Sequence, residues 1–176
     1  MKNTIFFFVA MLPVSLSAQN YGLPKDEKTG KVNYTKIYNV YNRTQTTVLG
    51  YAVKYLQHLK VDDNSITIDT ASGTASTWLT WSYKGLNTTC KGRYKLKVHL
   101  IISAKDNKTR IEMTDILYSA ENSKCPNSGT LEELLACDGC KMSFYLRERL
   151  SNNMYQTAQK YHSKLKSYVT EGPGDW

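Results

Sequence analysis

The clearest pattern of apolar and polar positions runs from Gly92 to Tyr118. From Tyr94 every second residue is apolar (Tyr94, Leu96, Val98, Leu100, Ile102), and Arg93, Lys95, Lys97 and His99 fall between them. That is the period of a half-buried strand, oily on one face and basic on the other. The polar run Lys105, Asp106, Asn107, Lys108 supplies a turn. Centred on Asp106 and Asn107, it sets Ile102 opposite Ile111 and Leu100 opposite Met113, so two apolar rows meet. The same register puts Asp115 against Val98 on the buried side, and a bulge near Thr114 or Asp115 is expected to relieve the mismatch.

Other segments follow the same logic. Residues 31–41 are rich in Val, Tyr, Thr and Ile and predict a strand, with Lys36 interrupting the alternation and pointing to an edge position or a bulge. Capping residues at Asn42 to Thr46 precede Val48, Leu49, Ala52, Tyr55, Leu56 and Leu59, whose spacing predicts a helix of about four turns. Gly50 within it suggests close packing against the sheet. Two strands follow over 65–70 and 74–83, the second with Leu79, Trp81 and Tyr83 on one side and Ser76, Trp78 and Thr80 on the other. The last long element, 146–169, keeps Leu146, Leu150, Met154, Ala158, Tyr161, Leu165 and Tyr168 on a single stripe. The expected fold class is therefore α+β: an antiparallel five-stranded sheet with two helices on one face, in the order β-α-β-β-β-β-α.

The ends of the chain change the picture. Lys2, the apolar run Ile5 to Leu12, and the small residues Ser15, Ser17 and Ala18 read as a signal peptide over 1–18. The run is too short for a spanning helix, which needs about 20 apolar residues, so no transmembrane segment is expected after cleavage. The mature chain is expected to be exported, periplasmic or secreted, with a flexible leader over 19–30, a single domain over 31–170, a cysteine-bearing insertion over 119–142 and a frayed tail over 171–176. The formal charge of +8 falls by one when Lys2 is removed. In an exported chain that excess suits an anionic polymer or an acidic envelope protein rather than nucleic acid. The 13 tyrosines are spread along the chain and read as half-buried sheet residues rather than a stacking cluster.

The chain entering the first strand, Leu23, Pro24, Lys25, Asp26 and then Thr29, Gly30, Lys31, Val32, together with the element order, resembles an exported bacterial domain of unknown function whose fold is similar to the TATA-binding protein. The resemblance covers 23–169 apart from the insertion. It implies a curved antiparallel sheet backed by helices, and it carries over no catalytic or ligand residues.

Candidate chemistry is sparse. The loop with Cys90 and the insertion with Cys125, Cys137 and Cys140 are expected to leave the same end of the sheet. In an oxidising compartment an even count predicts two disulfides, with three pairings open. Cys137, Asp138, Gly139, Cys140 also has a zinc-ligand spacing, but the other two thiols form no second close pair, so neither a metal nor a cofactor is expected. His58, His99 and His162 are scattered and expected at the surface or half-buried, and Glu112 and Asp115 are expected on opposite faces of their strand. The expected function is thus non-catalytic, a binding or structural module of the cell envelope; the alternative is a metal-dependent or hydrolytic enzyme built around the cysteine loop. The ligand face is expected on the uncovered side of the sheet, with Trp78, Arg93, Lys95, Lys97, His99 and Arg110 projecting from it. Asp69, Thr70, Ala71 matches a short acceptor motif for O-glycosylation in some exporting bacteria.

Overall fold

Alternating strands can bury only one side, so the sheet forms where two or more such strands meet edge to edge and a helical stripe covers the oily side. The computed structural model describes residues 23–59, 65–84, 93–120, 128–136 and 144–171. The expected signal peptide, all four cysteines and the residues after 171 lie outside that set. The elements are β1 (Tyr34–Asn39), α1 (Gln45–His58), β2 (Thr67–Asp69), β3 (Thr74–Lys84), β4 (Arg93–Lys105), β5 (Lys108–Ala120), β6 (Ser128–Thr130), α2 (Leu131–Ala136) and α3 (Phe144–Glu171).

The sheet is antiparallel, with order β1-β5-β4-β3-β2 and β6 joined to β5. It has six strands where five were expected. β4 occupies one edge of β5 along its length, while β1 takes residues 108–113 of the other edge and β6 takes 117–119. The extra strand comes from the insertion. There Thr130 and Glu133 cap α2 reciprocally: Thr130 N–H donates to Glu133 Oε2 at 2.8 Å and Glu133 N–H to Thr130 Oγ1 at 3.2 Å.

The central hairpin has the predicted register, Ile102 opposite Ile111 and Leu100 opposite Met113, with its turn at Asp106 and Asn107. Asn107 takes φ +58°, a left-handed conformation that asparagine tolerates. The register then shifts by one between Lys97 and His99, the expected bulge. Asp115 carries it at φ +49°, and Ile116 rather than Asp115 enters the core.

The covered face of the sheet contributes Ala75, Leu79, Trp81, Leu96, Val98, Leu100, Ile102, Ile111, Met113 and Ile116 to one core. The helices close it with Val48, Ala52 and Leu56 from α1, Leu131 from α2, and Met154, Ala158 and Leu165 from α3. Truncating a fully buried leucine such as Leu100 to alanine removes about 2–5 kcal/mol.

Three expectations are corrected. Gly50 is exposed instead of packing on the sheet, and a Cβ there meets nothing within 4 Å among the described residues. Ile68, an apolar position of the strand predicted over 65–70, is 47% exposed, because β2 is a short strand at the edge of the sheet. The chain at 23–30, expected to be loose, closes into a small hairpin. Lys25 bridges Val32, Asp26 N–H donates to Lys31 O at 2.9 Å, and Leu23 is buried.

Candidate functional site

The residues expected on the uncovered face come from the three central strands β3, β4 and β5, and their neighbours are set by register. Trp78 on β3 lies directly opposite His99 on β4. Their rings stack with centroids 4.7 Å apart and planes 12° from parallel. Lys97, two residues from His99, places its Nζ 4.9 Å from the Trp78 ring centroid, a cation–π contact worth about 0.5–1 kcal/mol at such a site. The indole therefore has an imidazole and an ammonium as immediate neighbours.

The bulge extends this row. With an extra residue in β5, the Asp115 carboxylate turns to the open side, where Oδ2 lies 3.7 Å from His99 Nδ1 and Oδ1 is 2.7 Å from Lys31 Nζ. The Lys31 ammonium, by hydrogen bond and charge, holds the Asp115 carboxyl below its ordinary range, and Asp115 in turn raises the Lys31 amine. Glu112, on the same side of β5, accepts from Asn33 Nδ2 at 2.7 Å and lies 3.6 Å from Arg110. The expectation that Glu112 and Asp115 occupy opposite faces is thus overturned, because a strict two-residue alternation does not survive a bulge. Each carboxylate is already engaged by a cation or an amide.

Of the residues expected on this face, Trp78, Lys97 and His99 form one cluster, Arg110 pairs with Glu112, and Lys95 is exposed on the strand beside them. Arg93 lies at the far end of β4, opposite Lys84. Lys31, Asn33 and Asp115 are additions. Asp115 was signalled by the apolar mismatch with Val98, whereas Lys31 and Asn33 enter from the start of the predicted strand 31–41, whose pairing with β5 the pattern does not give. Among the described residues Lys97 meets no carboxylate, and no helix lies over Trp78, Lys95, Lys97 and His99. The cluster can stack a flat or apolar group on the indole edge and offer ammonium and imidazole donors to an anion.

A second concavity, of about 920 Å³, lies between the 23–28 segment, β1 and α3, with Leu23, Tyr34, Lys36, Tyr155, Gln159 and His162 among its walls. His162 is fully buried, where a surface or half-buried position was expected. Its Nε2–H donates to Tyr34 O at 3.1 Å, and its Nδ1 has no partner among the described residues. Burial, with Lys36 nearby, lowers the His162 pKa. Lys36 itself donates to Gln159 Oε1 at 2.6 Å, tying β1 to α3. Among the described residues no three His, Cys, Asp or Glu side chains are grouped to hold a metal ion.

The fold has solved counterparts. A TBP-like protein from Parabacteroides distasonis superposes with a TM-score of 0.67 at 14% identity, over 84% of this chain and 98% of that one. A DUF4468 family protein from Bacteroides ovatus gives 0.61 at 15% identity, over 92% of this chain and 95% of that one. No protein-family model and no curated protein matches the sequence. At such identity the likeness shows the fold alone: this chain has a TBP-like fold, as its element order and entry residues suggested.

Proposed function

We propose that the protein is an exported, non-catalytic domain of the bacterial cell envelope that binds an acidic partner, an anionic polymer or an acidic envelope protein, on the uncovered face of its sheet. The observation that carries this reading is the Trp78, His99 and Lys97 cluster, an aromatic surface with a cation that meets no carboxylate among the described residues, on a side that no described helix covers. The chain's charge of +8 favours the same class of partner. The apolar run before Pro13 supports export.

The test reverses the charge on the exposed Lys95 and Lys97. Lys95→Glu with Lys97→Glu is expected to abolish retention of the purified protein on envelope fractions, and raised salt is expected to weaken the wild type. Both side chains stand in solvent and Lys97 gives up a cation–π contact of about 0.5–1 kcal/mol, so the thermal midpoint is expected to fall by only about 1–4 °C. Undiminished retention of the double variant removes the open face from the binding site.

A further inference from the structure

The turn between β2 and β3 carries the one place in the chain where an aspartate is followed directly by a hydroxyl residue, Asp69, Thr70, Ala71. All three are exposed. The turn's other polar groups are occupied. Asp69 Oδ1 accepts from the N–H of Ala71 at 3.0 Å and of Ser72 at 3.2 Å, while Ser72 Oγ donates to Asp69 Oδ2 at 2.7 Å and lies 2.9 Å from Thr74 Oγ1. Those bonds, the Ser72 hydroxyl foremost, keep the Asp69 carboxyl below its ordinary range and ionised. Thr70 takes no part. Among the described residues its hydroxyl has no partner, so it alone of the turn's three hydroxyls is free to react.

The turn is also held rigidly. Gly73 takes φ +69°, its carbonyl accepts from Ala104 N–H at 2.8 Å, and a Cβ on it would come within 2.7 Å of Ala104 O. Only glycine fits there. The segment outside it is presented at the tip of a fixed hairpin beside the edge strand β2.

We infer that Thr70 is a site of O-glycosylation, with Asp69 and Ala71 as the flanking residues a transferase reads. Transfer forms a bond between Thr70 Oγ1 and the anomeric carbon of a diphosphate-linked sugar donor. It breaks the bond from that carbon to the diphosphate oxygen and passes the hydroxyl proton to a base of the transferase; nothing is oxidised or reduced. A glycan here stands next to the outer edge of β2, which pairs with no further strand among the described residues and would otherwise accept one from another chain. The inference rests on the export half of the proposed function.

The experiment expresses the full chain, with residues 1–18, in Bacteroides ovatus and reads intact mass and the mass of the peptide containing Thr70. A processed chain whose Thr70 peptide carries a sugar mass is expected; Thr70→Ala and Asp69→Asn lose that mass and Thr70→Ser keeps it. Circular dichroism of each variant is expected to match wild type, since the Thr70 hydroxyl makes no bond and asparagine preserves the turn's acceptor. A processed chain with an unmodified Thr70 peptide, or a sugar mass that persists in Thr70→Ala, overturns the assignment and leaves export standing. An unprocessed, unmodified chain overturns both.

Discussion

Gly50 shows how a residue's type can mislead where its environment decides. Mid-helix glycine costs conformational entropy that alanine does not, and a helix tolerates it most readily where a neighbouring backbone needs the space. At Gly50 that reason is missing: the residue is exposed, its φ is not in the left-handed region, and the position of its absent Cβ is empty. Gly50→Ala is therefore expected to stabilise the protein by up to about 1 kcal/mol, read as a higher denaturant midpoint at an unchanged slope. A midpoint at or below wild type would place an unseen constraint at this position. Asp115 is the opposite case, a residue whose conformation is costly for most side chains and whose partners, Lys31 and His99, explain why it is kept there. Its mismatch with Val98 was visible in the alternation, while its partner Lys31 was not, because that contact joins residues 84 apart in sequence.

Elements were legible in proportion to their length and periodicity. β3, β4, β5, α1 and α3 each repeat their pattern often enough to announce themselves, and the register of the central hairpin follows from two apolar rows that must coincide. β6 did not show, since three residues carry no period and pair only because β1 leaves the end of β5 vacant. His162 was missed for another reason. It lies four residues from Ala158 and three from Leu165 on the buried stripe, so the spacing was present and only its polarity argued against burial. Between elements, the turn of the central hairpin does a second job. α1 has no acidic residue in its first turn, and Asp106 supplies one from outside, its Oδ1 accepting from Gln45 N–H at 2.8 Å beside the Thr44 cap. Asn107 N–H adds a bond to Arg43 O at 3.0 Å. Asp106→Ala is expected to cost about 1 kcal/mol, and Asp106→Asn, which keeps an acceptor but loses the charge, less than that. Equal stability of Asp106→Ala and wild type in chemical denaturation would remove the turn from the helix's capping.

At the scale of the molecule the two layers share one core, and the edge strand β1 is fastened to α3 by a group that can change charge. His162 is buried between them, donates to Tyr34 O, stands 6.4 Å from the Tyr38 ring, and has the Lys36 amine on the same side. Burial is the leading cause that holds its pKa below the ordinary value; the Tyr34 carbonyl opposes and Lys36 reinforces. The folded protein therefore keeps this imidazole neutral at pH values where the unfolded chain, with a pKa of about 6.5, already binds a proton. More protons on the unfolded state mean that stability rises with pH. The contribution is fully present above about pH 6.5 and is lost as pH falls from there toward the depressed native value. Within that window the slope is bounded by one proton, about 1.4 kcal/mol per pH unit. His162→Gln keeps an N–H near Tyr34 O and removes the titration. The difference in unfolding free energy between wild type and His162→Gln, measured from about pH 8 down to about pH 5, is thus expected to be flat above 6.5 and to move against wild type below it. Other histidines and carboxylates titrate in both proteins and cancel in the difference. Parallel curves across that range would mean that the ring reaches water before it protonates, and that β1 and α3 are held together without it.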